Sequence, residues 1–287
     1  MKFTKMQGAG NDYVLIETGD KQRDWSQLAI TVCDRHYGIG ADSLLLLIPS
    51  DKADCKMRIF DSDGSEAEAC GNGTRCLAKY IFEKGLVSNG AGQALIETIS
   101  GIRKVKYYKR EGRLTGIQAN MGKPAFRAED IPVIIKSGDN VVDIKSLLGY
   151  TVNVDGTELI LHLVSMGNPH AIYFSQQPVA DFPLSRIGPL VERLDIFPKR
   201  TNFEVVNVIN KTTVQARVWE RGVGETLACG SGACAIVVAA QLLGYTEKKA
   251  DVELPGGVLQ LEWNGEGEVL LSGPAEIVFA GEWPGEV

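Results

Sequence analysis

Two cysteines of this chain stand in the same setting. Cys70 lies in Ala69-Cys70-Gly71-Asn72-Gly73 and Cys229 in Ala228-Cys229-Gly230-Ser231-Gly232, and each run leads into a stretch with helical character. The first N–H groups of a helix lack partners within it, and the helix dipole adds partial positive charge there. Glycine lets that backbone approach a ligand closely. Such an entrance cradles phosphates and carboxylates, and a thiol beside it is expected to ionise more readily than a free one. A single turn of this kind is weak evidence. Two of them suggest a reaction that needs two similar acid–base groups, and inversion of a stereocentre next to a carboxylate is such a reaction. A thiolate takes the α-proton from one face while a thiol delivers a proton to the other. Charge then builds on the carboxylate oxygens, where an oriented N–H donor can contribute about 3–4 kcal/mol. A helix dipole alone supplies only ~0.3–2 kcal/mol. Oriented donors in a dry site must therefore dominate, which calls for two domains closing around the substrate.

Other chemistry fits these residues less well. Cys33 and Cys55 read as small buried hydrophobes, and Cys76 and Cys234 as helix core. Structural zinc favours Cys-x2-Cys to Cys-x4-Cys pairs; the spacings here fit poorly, Cys-x5-Cys beyond that range and Cys-x4-Cys at its limit. A cysteine hydrolase needs a Cys–His pair, and the candidates are His36, His162 and His170. A Cys70–Cys229 disulfide would be an oxidised, inactive form.

Composition narrows the class. The 287 residues are 44% hydrophobic and 23% charged, which argues for a folded chain of about two domains. The net charge of −6 has the opposite sign to that of a nucleic-acid binder. The longest apolar stretches, 44–49 and 233–240, are far short of the ~20 residues of a membrane span. The N-terminal residues lack a signal-peptide core, and six cysteines are too few for a disulfide scaffold. The expectation is a cytoplasmic protein with a small-molecule substrate and neither nucleic-acid nor membrane partners.

The elements that must position the cysteines read mostly as short strands, at 14–16, 57–60, 114–119, 159–164, 171–174, 205–209, 214–219, 258–263 and 269–271. Residues 74–83 and 232–243 read as helices. The second is apolar nearly all round and should be buried. Residues 25–33 and 189–194 are weaker helix candidates. Asn11 and Asn168 each follow a Gly before a strand, and Phe60 and Trp219 each stand ten residues before a Cys-Gly-x-Gly turn. Ser43 and Asn202 lie 159 residues apart, as do Cys70 and Cys229. This pattern reads as a duplication, with domains 1–123 around Cys70 and 124–274 around Cys229.

With these residues in view, the sequence resembles the diaminopimelate epimerase family nearly end to end. The resemblance rests on Gln7-Gly-Ala-Gly-Asn-Asp-Tyr13, Gly38-Ile-Gly-Ala-Asp42, Asp63-Gly-Ser65 through Gly73, Gly167-Asn-Pro-His170, Pro198-Lys-Arg-Thr-Asn202 and Trp219-Glu-Arg221 through Gly232. It implies a mixed α+β fold of two pseudo-symmetric domains, each a curved, mostly antiparallel sheet or barrel around a central helix. Residues 275–287 would return to the first domain. It also implies interconversion of LL- and meso-2,6-diaminopimelate in lysine and peptidoglycan precursor synthesis, without pyridoxal phosphate or metal, by a homodimer. The catalytic pair would be Cys70 and Cys229. The α-carboxylate would lie against Gly71, Asn72, Gly230 and Ser231, and the remote amino-acid end against Asn11, Asn168, Asn202, Glu220 and Arg221. Glu220 and amide oxygens can accept from an ammonium, while Arg221 and amide nitrogens can donate to a carboxylate. His170 and Glu220 would tune the thiols. Two positions depart from the family pattern: Ser43, where Gln is common, and Asp61, where Asn is usual. They leave open a racemase of another amino acid on the same fold. A non-catalytic amino-acid-binding protein is the reading from a different class.

Each bland reading also stands. Asn11 and Asn168 occupy common turn contexts, Asn202 could end a loop, Glu220-Arg221 could be a solvated pair, and His170 could be a core histidine. Asp42 and Arg75 receive no role.

Overall fold

Five apolar residues in a row, Leu44–Ile48, make a strand with no face for water. The computed structural model answers that demand by packing a helix on each side of it. It describes residues 1–20, 22–67, 71–87, 92–111, 113–135, 141–144 and 147–284. Cys70 lies outside the described residues. The chain divides into two compact units, Met1–Asn120 with Ser272–Val287, and Met121–Leu271.

The first unit contains β1 (Lys2–Gly8), β2 (Asn11–Glu17), α1 (Trp25–Cys33), β3 (Ser43–Ile48), β4 (Cys55–Asp61), α2 (Gly71–Glu83), β5 (Gln93–Thr98), β6 (Gly101–Arg110) and β7 (Arg113–Asn120). Neighbouring pairs are antiparallel except β2 with β3 and β4 with β5. α1 packs on β3 and β4, as α2 does, so the all-buried β3 is covered on both faces. Asp24 caps α1 by accepting from the Gln27 N–H at 2.9 Å, which satisfies one of the free donors of the first turn. Trp25, Leu28, Ala29 and Val32 then form its buried stripe, at the spacing of one helix face.

The second unit contains β8 (Val141–Ile144), β9 (Leu147–Val154), β10 (Thr157–Ser165), β11 (Pro169–Phe174), α3 (Leu184–Glu192), β12 (Asn202–Asn210), β13 (Thr213–Glu220), β14 (Gly224–Thr226), α4 (Gly230–Leu242), β15 (Lys249–Leu254) and β16 (Gly257–Glu262). β10 and β11 form an antiparallel pair, β11 and β12 are parallel, β12 and β13 antiparallel, β13 and β15 parallel, and β15 and β16 antiparallel. The run from β1 to β6 has the same succession of senses. α4 packs on β10, β11, β12, β15 and β16, and Gly232 through Ala240 are buried without a break. β17 (Leu270–Gly273) carries the chain back to the first unit, where β18 (Glu276–Glu282) lies antiparallel to β1. The fold is mixed α+β, sheet-rich with few helices, and the sheet is not closed, so of the two shapes expected from the sequence it is a sheet and not a barrel.

One helix differs from the sequence expectation of 189–194. It runs from Leu184 to Glu192 with Pro189 inside it. Proline was read as a first helical residue, its usual place. Burial of Leu184, Ile187 and Val191 on one face outweighs the hydrogen bond that Pro189 cannot donate. Gly188 lies against the Trp219 ring, where an added Cβ would come within 2.6 Å of the ring carbons.

Because α4 is surrounded by its sheet, truncation inside it leaves a void. Ile236→Ala is expected to lower the unfolding free energy by about 2–5 kcal/mol. A urea titration should show the midpoint falling with an unchanged slope.

Candidate functional site

In the second unit the chemistry gathers at the start of α4. Cys229 caps this helix itself: its Sγ accepts from the Gly232 N–H at 3.4 Å. The Ser231 hydroxyl lies 3.5 Å from the same sulfur. Asn168 Nδ2 donates to Ser231 Oγ at 3.3 Å, and Asn168 Oδ1 lies 3.1 Å from His170 Nε2. His170 Nδ1 lies 2.6 Å from Glu204 Oε1, and both side chains are fully buried. Gly167, at φ 98, makes the turn that presents Asn168, a conformation that favours glycine.

The structure thus brings together Asn168, His170, Ser231 and Cys229, and adds Glu204, which the sequence reading missed. The signal was present: Glu204 is a lone charge within Phe203-Glu204-Val205-Val206. Phe203 and Val205 join the core beneath α3, so strand alternation turns Glu204 to the α4 side. An added Cβ on Gly232 would lie 2.7 Å from Glu204 Oε1, so this carboxyl sits directly on the helix start.

Glu220, at the end of β13, accepts from the Thr226 hydroxyl at 2.5 Å. Burial raises its carboxyl pKa, against hydrogen bonds from Thr226 and the Cys229 thiol. The solvated-pair reading therefore fails for Glu220, while Arg221 is exposed. The loop carrying both is held by Glu192, which accepts from Trp219 Nε1 at 2.8 Å and the Gly222 N–H at 3.0 Å. Asn202 acts as a brace in this structure. Its Nδ2 donates to the Pro169 carbonyl at 2.8 Å, and its Oδ1 accepts from the Arg221 N–H at 2.9 Å.

One expectation is overturned. The helix entrance was expected to lower the cysteine pKa, yet the Cys229 thiol is pushed well above the ordinary thiol range. Burial is the largest cause, and the carboxylates of Glu220 and Glu204 push the same way. The Ser231 and Gly232 donors oppose this without overcoming it. A dry site with two carboxyls nearby disfavours a further anion more than one helix end favours it.

The corresponding part of the first unit is built on carboxylates. Asn11 Nδ2 donates to Asp42 at 2.6 Å, and Asn11 Oδ1 accepts from the Tyr13 hydroxyl. Asp42 also accepts from the Asp12 N–H at 2.9 Å and from Arg35 at 2.8 Å. Asp12 in turn binds Lys5 at 2.6 Å and Arg35 at 2.8 Å. Burial alone would raise the Asp12 pKa, but hydrogen bonds from Arg35 and Lys5 and the Lys5 charge bring it down to about 2. Asp42, given no role from sequence, thus fixes the Asn11 amide. Arg75 likewise donates to Asn72 Oδ1 at 2.8 Å within α2, where Gly71 and Asn72 are buried. The two departures from the family pattern meet: Ser43 Oγ donates to Asp61 Oδ1 at 2.9 Å across β3 and β4. Burial raises the Asp61 pKa, and the charges of Asp63 and Asp42 add to it, against the Ser43 hydrogen bond.

A cavity of about 340 Å³ lies at the other end of these strands, lined by Ser50, Lys56, Arg58 and Glu97 among others. Two of its cations are already paired, Lys56 with Glu97 at 3.2 Å and Arg58 with Glu66 at 2.6 Å. Among the described residues, no three His, Cys, Asp or Glu side chains converge as a metal site would require.

A family model described as diaminopimelate epimerase matches residues 3–127 and 162–278. A diaminopimelate epimerase of Acetivibrio thermocellus is 46% identical over 98% of each chain. One of Methanococcus maripaludis is 45% identical over 98% of this chain and 99% of its own. Among solved structures, a probable proline racemase from Agrobacterium radiobacter K84 is 13% identical, with a TM-score of 0.70 over 98% of this chain and 92% of that one. A phenazine biosynthesis protein of the PhzF family from Bacillus anthracis is 15% identical, with a TM-score of 0.66 over 98% of each. At such identities the likeness bears on the fold alone.

Because Glu220 both opposes a negative sulfur and accepts from the thiol, Glu220→Gln should make Cys229 easier to ionise. The pH midpoint for iodoacetamide alkylation of Cys229, read by peptide mass spectrometry, is expected to fall by on the order of one unit.

Proposed function

The chain belongs to the diaminopimelate epimerase family, which makes it an isomerase of lysine biosynthesis, and we propose that it interconverts LL- and meso-2,6-diaminopimelate by two-base proton transfer between Cys70 and Cys229. The observation that carries this reading is Cys229 as the cap of α4. Its sulfur stands beside the first-turn N–H groups of a buried helix, where an α-carboxylate can lie against Gly230 and Ser231.

Cys229, raised by burial, rests as the thiol, and it is the acid in the direction where Cys70 is the base. Cys70 as thiolate removes the α-proton from one face. The electron pair moves onto the carboxylate as an enediolate, and the Cys229 thiol protonates Cα from the opposite face. The product leaves Cys229 as thiolate and Cys70 as thiol, so the reverse reaction begins with their roles exchanged. N–H donors of Gly71 and Asn72, and of Gly230 and Ser231, hold the growing charge. Glu220 and the amide of Asn168 receive the remote ammonium, with Asn11 and Asn202 lining that end, and the exposed Arg221 guanidinium pairs with the remote carboxylate. His170 and Glu220 set the protonation of Cys229. The reaction as proposed draws on side chains and backbone N–H groups alone.

The proposal extends to a cytoplasmic homodimer. In support, Cys33, Cys55 and Cys229 are free thiols, and no helix among the described residues is long and apolar enough to cross a membrane. Val278 and Phe279 of β18 are 55% and 47% exposed, an apolar edge that a second copy could cover.

Two carriers that each keep their own proton predict a labelling asymmetry. In D₂O, early product should hold solvent deuterium at Cα while recovered substrate holds little. Equal labelling of both would point to one exchanging base and remove the mechanism. Cys70→Ala and Cys229→Ala should each lower kcat by at least about 10²-fold while the far-ultraviolet circular dichroism stays unchanged.

A further inference from the structure

Four hydrogen bonds link Glu204 to the Cys229 sulfur, and with the Asn168 amide oriented as it stands their donors and acceptors allow one direction. Asn168 Oδ1 can only accept, so His170 Nε2, 3.1 Å away, must carry a hydrogen. Asn168 Nδ2 can only donate, so Ser231 Oγ accepts from it at 3.3 Å. The Ser231 proton is then free for the sulfur at 3.5 Å. The far end is Glu204 Oε1, 2.6 Å from His170 Nδ1. Glu204 Oε2 is buried with no hydrogen-bond partner among the described residues.

We propose that Glu204 is a positioning residue that sets, through His170, Asn168 and Ser231, the direction of the hydrogen bonds reaching the Cys229 sulfur. Two proton arrangements satisfy both the Glu204 and the Asn168 contacts of the His170 ring. A protonated Glu204 donates to a bare Nδ1, or an ionised Glu204 accepts from a ring protonated on both nitrogens. Both leave hydrogen on Nε2, and in both the pair is electrically neutral. Without Glu204, the ring can keep its single hydrogen on Nδ1 and present a bare Nε2. The Asn168 amide then turns its NH2 to the ring, Ser231 donates to Oδ1, and the sulfur loses a donor. Gly232 fits this role, since a side chain there would displace the Glu204 carboxyl. The titratable groups bearing on Cys229 are Glu220 on β13 and Glu204 on β12, and His170 on β11 bears on both carboxyls. A bare negative charge on Glu204 would hinder a thiolate, whereas Glu204 as a director of hydrogen bonds supports one. The two effects have opposite signs.

This inference rests on Cys229 being one of the two proton carriers, but its test needs no substrate, so its failure is separate from any failure of turnover. Glu204→Met keeps the volume and removes the hydrogen bond, and Glu204→Gln keeps a donor for Nδ1. The rate of iodoacetamide alkylation at Cys229 is followed against pH in each. Glu204→Met is expected to raise the midpoint by about one unit, seen as roughly tenfold slower labelling below it, and Glu204→Gln to restore near-native behaviour. In a Ser231→Ala background the Glu204→Met effect should vanish. Faster labelling in both Glu204 variants, no change in Glu204→Met, or an effect that survives Ser231→Ala would each overturn the proposal. Nitrogen-15 spectra of the unaltered protein, which has three histidines, give a check free of folding defects. His170 Nε2 should be protonated, and a bare Nε2 would equally overturn it.

Discussion

A helix that begins inside a protein must find acceptors for N–H groups that water would otherwise take. At α4 a sulfur supplies one of them, because Cys229 is the cap and Gly232 the donor. The neighbouring N–H groups stay available to an anion, directly beside the capping sulfur. The remainder of the second unit serves this arrangement. A helix apolar on every side is stable only inside a sheath, so β10, β11, β12, β15 and β16 surround it. The same sheath removes water and strengthens each hydrogen bond at the helix start.

Burial has a second consequence, which acts against catalysis taken alone. It lifts the Cys229 pKa beyond what the helix end can offset. The site therefore favours a sulfur that keeps its proton until an anion elsewhere demands it. Such a thiol suits the acid half of a two-base reaction better than the base half. The buried carboxyls of Glu204 and Glu220 belong to the same balance, since each stands where its own ionisation is disfavoured.

Much of this was legible in the amino-acid order. The helix at 25–33 was read with its observed bounds, and the helices after the two Cys-Gly-x-Gly turns differ by at most a few residues. Periodicity is strong in these segments and nothing competes with it. Failures occurred where tertiary contacts decide. Pro189 looked like a helix start and sits inside a helix because three apolar neighbours share a buried face. Asp42 had no role from sequence and holds the Asn11 amide from 31 positions away. The Cys229 pKa was misjudged because one strand gives no sign that Glu204 and Glu220 converge on the same helix end. Asn202 was legible as a site residue, but its hydrogen bonds to Pro169 and Arg221 could be seen only in three dimensions.

The last strand carries a consequence for biosynthesis. β18 pairs with β1, although residues 9–275 lie between them in sequence. As the polypeptide leaves the ribosome, residues 121–271 are complete and can fold while the earlier unit still has an unfilled place beside β1. That place is filled only when residues 276–282 emerge. One edge of β1 thus stays bare while residues 121–271 are made, and the nascent chain is exposed to mispairing there until β18 has been added.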